Sequence, residues 1–208
     1  MAITTYSELQ TSVANWTHRA DLSNRIPEFI SLAEAKFNRE LRVSGMEKRA
    51  TTVVGITTEY VALPTDFLEA RNFQLATTPV TLLRQMSPEE IDARYQGNSG
   101  KPRFYAIVGD EFQLAPSPDG EYFLELDYWS RITPLSDVDT SNWLLEDHPD
   151  LYLCGALCQA IPYLNITDAR VPALRAEYAS LMGSLQASSD RRRWTSSSMQ
   201  MRASVQGL

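Results

Sequence analysis

Apolar residues near the start of the chain recur at helical spacing. In TTYSELQTSVANWTHR, Leu9, Val13 and Trp16 fall on one stripe, and Thr5 followed by Glu8 forms a capping box, so the stretch predicts a first helix. In ADLSNRIPEFISLAEAKFNRELR the stripe is Ile26, Ile30, Ala33, Phe37 and Leu41, with Pro27 suited to a first turn. Glu28, Glu34, Arg39 and Glu40 fall on its other faces, so this narrow-striped second helix is expected to need partners along its length. The period changes from 3.6 to 2 after Gly45. MEKRATTVV, EYVALP, FLEARNFQL and VTLLRQ are rich in Thr, Val and Tyr and read as strands of an antiparallel sheet. SPEEIDARYQG predicts a short helix with Ser87 as cap, Pro88 at its first position and Gly97 as its stop. PRFYAIVGDEFQLAP is a hairpin turning at Gly109-Asp110. In the strand that follows, Tyr122, Leu124, Leu126 and Tyr128 alternate with Phe123, Glu125, Asp127 and Trp129.

Helical spacing returns at Ser141. NWLLEDHPDLYLCGALCQAIPYL has its main helix opened by Pro149, with Asp147 or His148 as cap. Leu153, Ala156, Leu157, Ala160 and Ile161 form its apolar face, and Pro162 predicts a kink or an end. TDARVPALRAEYASLMGSLQAS carries the last stripe, Leu174, Tyr178, Leu181 and Leu185. The order helices, strands, helices predicts an α+β fold, because each helical end has an apolar stripe to bury. The expected form is a helical bundle of the N- and C-terminal helices (1–44 and 133–189) with an inserted antiparallel β-domain (45–132). An extended C-terminal tail (190–208) completes it.

Composition narrows the class. The 208 residues are 43% apolar and 22% charged, as expected of a soluble globular chain. No run approaches the length of a membrane span, and MAITTYSELQ has neither the basic nor the apolar region of a signal peptide, so no membrane partner is expected. The net charge is −7. Asp190–Leu208 holds four arginines against one aspartate, +3, which leaves −10 on residues 1–189. The body is expected to repel nucleic acid, whereas the tail has a different electrostatic partner.

Candidate chemistry is sparse. No catalytic or nucleotide-binding motif occurs. Cys154 and Cys158 share a helix face but lack two further ligands nearby, so they read as small buried apolar residues rather than a metal site or a disulfide. Glu89-Glu90 suits the first turn of a helix, and Asp147-His148-Pro149-Asp150 reads as capping. No metal or cofactor is expected. Trp16, Trp129 and Trp143 read as core or domain-interface residues. Trp194 follows Arg191, Arg192 and Arg193 in a polar segment and has the composition of an interface anchor.

Five stretches taken in order carry a family resemblance: MAITTYSELQTSVANW, RIPEFISLAEAKFNRELR, YVALPTDFLEARNFQL, GKPRFYAIVGDEFQLAPSPDGEYFLELDYW and LSDVDTSNWLLEDHPDLYLCGALCQAIPYL. The succession resembles the head-to-tail adaptor proteins of short-tailed and related tailed bacteriophages over about residues 1–185. The resemblance implies a structural virion protein, not an enzyme. Such adaptors form a ring, usually of twelve subunits, beneath the portal ring. They extend the DNA channel through which the genome passes and give the tail nozzle its attachment. It also implies that a C-terminal segment embraces the portal. Arg191, Arg192 and Arg193 are then expected to pair with portal carboxylates, and Trp194, Met199, Met201 and Val205 to fill apolar pockets. Two other classes stay open on the residues alone. One is a nucleic-acid-binding module using the basic tail; the other is an enzyme of unrecognised type.

Overall fold

A computed structural model describes residues 3–164 and 170–194. Two compact units emerge, Met1–Gly45 with Ile132–Leu208, and Met46–Arg131. The chain leaves the first unit once and returns to it once.

The first unit is helical. Helix α1 (Tyr6–Thr17) starts as its capping box dictates, with the Glu8 N–H donating to Thr5 and the Glu8 carboxylate receiving the Thr5 N–H at 3.0 Å. The second helix does not run from residue 20 as expected. Ala20–Leu22 is a single 3-10 turn, and α2 (Ile26–Glu40) begins where Pro27 is tolerated. Within 142–164 the main helix opens at Pro149 as expected, and a short helix precedes it. Helix α4 (Trp143–Asp147) is capped by the Asn142 side chain. Then α5 (Pro149–Leu164) begins at the proline and holds Pro162 near its described end. His148 joins them through its backbone: its N–H donates to Leu144, and its carbonyl receives Leu151. Helix α6 spans Arg170–Trp194.

Helix α5 is the most enclosed of the described helices and packs against α1, α2, α4 and α6. It meets α2 closely because residue 155 is glycine. A Cβ there would stand 2.8 Å from the Phe37 ring and 3.3 Å from Ala33. Phe37 is fully buried, edge-on to Tyr152 and stacked on Tyr178, which ties α2, α5 and α6 together through three rings. Trp16 corrects the sequence reading. It is 64% exposed, because Leu9 and Val13 already fill the buried face of α1.

The second unit is two four-stranded sheets, where one antiparallel sheet was expected. The first has the order β1-β8-β3-β4 and is antiparallel throughout: β1 (Glu47–Val54), β8 (Tyr122–Ser130), β3 (Phe67–Leu75), β4 (Thr81–Leu82). The second has the order β2-β7-β6-β5: β2 (Tyr60–Ala62), β7 (Glu111–Ala115), β6 (Phe104–Val108), β5 (Arg84–Gln85). Here β5 runs parallel to β6. Both inner faces contribute to one core, with Leu124, Leu126, Phe73 and Leu75 meeting Tyr105, Phe112 and Leu114. Helix α3 (Pro88–Tyr95), capped by Ser87, covers the other face of the second sheet through Ile91 against Ala106 and Ala115. The β6–β7 hairpin turns at Gly109, whose φ of 61° favours glycine.

Candidate docking surfaces

Where an extended tail was expected from residue 190, residues 190–194 are helical, and 195–208 lie outside the described residues. Asp190 to Trp194 are the last residues of α6, and the helix reaches them because its preceding turns are anchored. Ser189 is buried and its hydroxyl accepts the Ser44 N–H at 2.8 Å. One turn earlier, Gln186 spans the same strand of chain. Its Oε1 accepts the Arg42 N–H at 3.3 Å and its Nε2 donates to the Arg42 carbonyl at 3.1 Å. These bonds straddle some 144 residues of sequence, which is why no local pattern announced them. Gly45 continues the same tight path, since a Cβ there would meet the Trp143 ring at 2.8 Å.

Arg191 and Arg192 follow directly and are exposed. Arg192 borders a cleft with Val43, Trp143, Asp147 and His148. Cations in the last turn of a helix also complement its dipole. Arg193 and Trp194 belong to the same turn by backbone. Met199, Met201 and Val205 lie outside the described residues.

A second surface is the outer face of the first sheet. Arg49 lies 2.6 Å from Glu125 and 3.8 Å from Asp127, Arg71 pairs with Glu47, and Gln74 donates to Glu125 at 2.7 Å. Next to this polar lattice, Val53 and Phe123 stand directly opposite each other on β1 and β8, and Leu82 is exposed on β4. The alternation of the sequence had already sorted β8 correctly: Leu124, Leu126 and Tyr128 point inward and Phe123, Glu125 and Asp127 outward. Trp129 is buried despite its odd position, as expected of a core or interface tryptophan.

The helical unit holds one buried carboxylate that sequence spacing had placed outside. Glu34 is 5% exposed. Its Oε1 accepts the Leu135 N–H at 2.8 Å and the Tyr152 hydroxyl at 3.1 Å. Asn142 Nδ2 donates to the same Tyr152 oxygen at 2.7 Å and to the Thr133 carbonyl at 2.7 Å. Burial raises the Glu34 carboxyl above its ordinary range, and the two hydrogen bonds only partly oppose this. A perturbed acid of this kind is a feature of active sites. Here its partners are a backbone amide and a tyrosine that is itself bound to a helix cap, so the group ties loop 132–142 to α2 and α5.

Among the described residues no cluster of three or more His, Cys, Asp or Glu is placed to hold a metal. Cys154 and Cys158 are free thiols; burial pushes Cys154 up to about 11 and raises Cys158 as well, the state of inert packed cysteines. Among the described residues no helix is long and apolar enough to cross a membrane.

The chain matches the family model of the SU10 adaptor protein over residues 4–202. No curated protein matches it. The match takes in both units, the strapped end of α6 and the exposed sheet face, and the chain belongs to the SU10 adaptor protein family of phage head–tail adaptors.

Proposed function

We propose that copies of this chain assemble as a ring of about twelve beneath the portal, extending the DNA channel and giving the tail nozzle its platform. The family match over residues 4–202 carries this reading. The docking element is the end of α6, where Arg191, Arg192, Arg193 and Trp194 meet portal carboxylates and an apolar pocket. Its anchoring through Gln186 and Ser189 supports that role, because a basic cluster fixed on a strapped helix loses little entropy on binding. About twelve such contacts on one ring give avidity even where each is weak. The charge of −10 on residues 1–189 suits a wall past which DNA slides without sticking.

The test is to mix the full chain with the portal ring of its phage and measure the mass of the complex. The wild-type chain is expected to add about twelve copies per portal. Replacing Arg191, Arg192 and Arg193 by alanine together with Trp194→Ala is expected to weaken binding at least about tenfold, while alanine, a strong helix former, keeps α6 intact. Full binding by that variant would overturn the docking role of α6. A wild-type chain that forms no complex would overturn the adaptor-ring reading.

A further inference from the structure

Helices α2, α5 and α6 of the helical unit leave an open groove of about 590 Å³ between them. Lys36 comes to it from α2 and Arg175 from α6, while Cys158 and Met182 give it an apolar lining. Among the described residues neither cation is ion-paired, and Glu40 is the only carboxylate in the lining. Lys36 Nζ lies 4.5 Å from the centre of the Tyr178 ring. Tyr178 also lines the groove and is 5% exposed, and its hydroxyl has no hydrogen-bond partner among the described residues. Buried hydroxyls are as a rule paired, so this one is set for an acceptor that the described part of the chain does not supply.

The same unit carries a feature of opposite charge. Ser136 to Asp139 form a tight turn ahead of α4. The Ser136 N–H donates to the Asp139 carbonyl at 2.9 Å, and the Ser136 hydroxyl accepts the N–H groups of Val138 at 3.2 Å and Asp139 at 2.9 Å. The turn is rooted on both sides, by Leu135 on Glu34 and by the Thr140 carbonyl, which accepts the Tyr6 N–H at 2.7 Å. It holds out Val138, 89% exposed, between two exposed carboxylates, Asp137 and Asp139. An apolar tip fixed in this way loses little freedom on docking.

Tip and groove are complementary, and one copy does not join its own. The turn reaches α2 through Glu34, whereas the groove takes Lys36, two residues on and about 200° around the helix. We infer that Val138 of one copy enters the α2–α5–α6 groove of the next, with Asp137 and Asp139 set against Lys36 and Arg175. The Tyr178 hydroxyl then donates to the entering turn. Opposite charges beside an apolar contact fix its register. Tip and groove are different patches, so the contact runs head to tail and leaves one of each free at the ends. Repeated with the right rotation it closes a ring. Only that closure rests on the proposed adaptor ring; the contact between two copies does not.

Cys158 supplies a native free thiol in the groove. Val138→Cys is made in the full chain and treated with a short bismaleimide, both concentrated alone and mixed with the portal ring. Cross-linked products of two, three and more copies are expected on denaturing gels, joined between positions 138 and 158 by peptide mapping. Adding Cys158→Ser is expected to abolish them. Adding Asp137→Lys with Asp139→Lys is expected to lower their yield at least about tenfold. Lys36→Glu with Arg175→Glu, added to that chain in turn, is expected to restore the yield, because reversing both sides brings back the attraction. Products that survive Cys158→Ser, products that stop at two copies, or charge reversal without effect would overturn the contact. No product in either setting would overturn it even where a portal complex of full mass forms, an outcome that leaves the ring itself standing. A ladder from a chain that does not bind the portal supports the contact and sinks only the ring's place beneath the portal.

Discussion

Glu34 shows what one residue contributes and why its sequence position hid it. Spacing along α2 places a glutamate outside, since a carboxylate is rarely buried without partners. Its partners come from Leu135 and Tyr152, 101 and 118 residues later, and no local pattern contains them. Removing the acceptor leaves two buried donors unmet, each costing about 1–3 kcal/mol, so Glu34→Ala is expected to destabilise the chain by about 2–4 kcal/mol in denaturant melts. The pH dependence has a definite sign. Because the folded-state pKa is raised, the folded protein prefers the protonated acid. That stabilisation is complete below the ordinary value of 4.5 and is lost as pH rises from there through the raised pKa. Glu34→Gln keeps the oxygen acceptor and does not titrate. Wild-type stability is therefore expected to fall relative to Glu34→Gln as pH climbs above 4.5, and parallel pH profiles would refute the buried-acid assignment. Trp16 failed in the opposite direction: an aromatic on a helical stripe looks like core, but the buried face of α1 ends at Val13.

At the scale of elements, local chemistry was the most legible. The capping box at Thr5, the Ser87 cap, the Gly109 turn and the alternation of β8 all formed as the residues require, because each depends on neighbours within a few positions. The division into two sheets was not legible, since β4 and β5 are two residues each and too short to show a period. The length of α6 was hidden for another reason. Ser188 to Arg193 has no apolar stripe, and its helix is held by Gln186 and Ser189 bonding to residues 42–44. Close approach of α5 to α2 gives a further prediction. Gly155→Ala gains about 1 kcal/mol of helix propensity. The added Cβ must displace Phe37, which is locked between two other rings, at a cost of about 1–3 kcal/mol. The steric term is the larger, so thermal melts are expected to show a net loss of about 1 kcal/mol. A Gly155→Ala protein as stable as wild type would mean that the ring yields.

For the whole molecule the deciding quantity is the distribution of charge. A chain with −10 on its first 189 residues and +3 on the remainder offers DNA one short attractive segment and a large repulsive body. Phosphate contacts release counterions, so binding by three arginines would fall steeply with salt. The repulsion from the body is spread over both units and acts at any approach beyond the α6 end, though it too is screened beyond about 8 Å at physiological ionic strength. The two effects oppose each other, and the larger charge belongs to the body. The full chain is therefore expected to show no binding to a short DNA duplex at physiological salt. It is expected to bind a ring that presents carboxylates to α6, and that complex should weaken as salt rises. Fluorescence anisotropy with labelled duplex checks the first expectation. Binding that appears with a steep salt slope, and vanishes when Arg191, Arg192 and Arg193 become alanine, would move the basic end of α6 from a protein partner to nucleic acid.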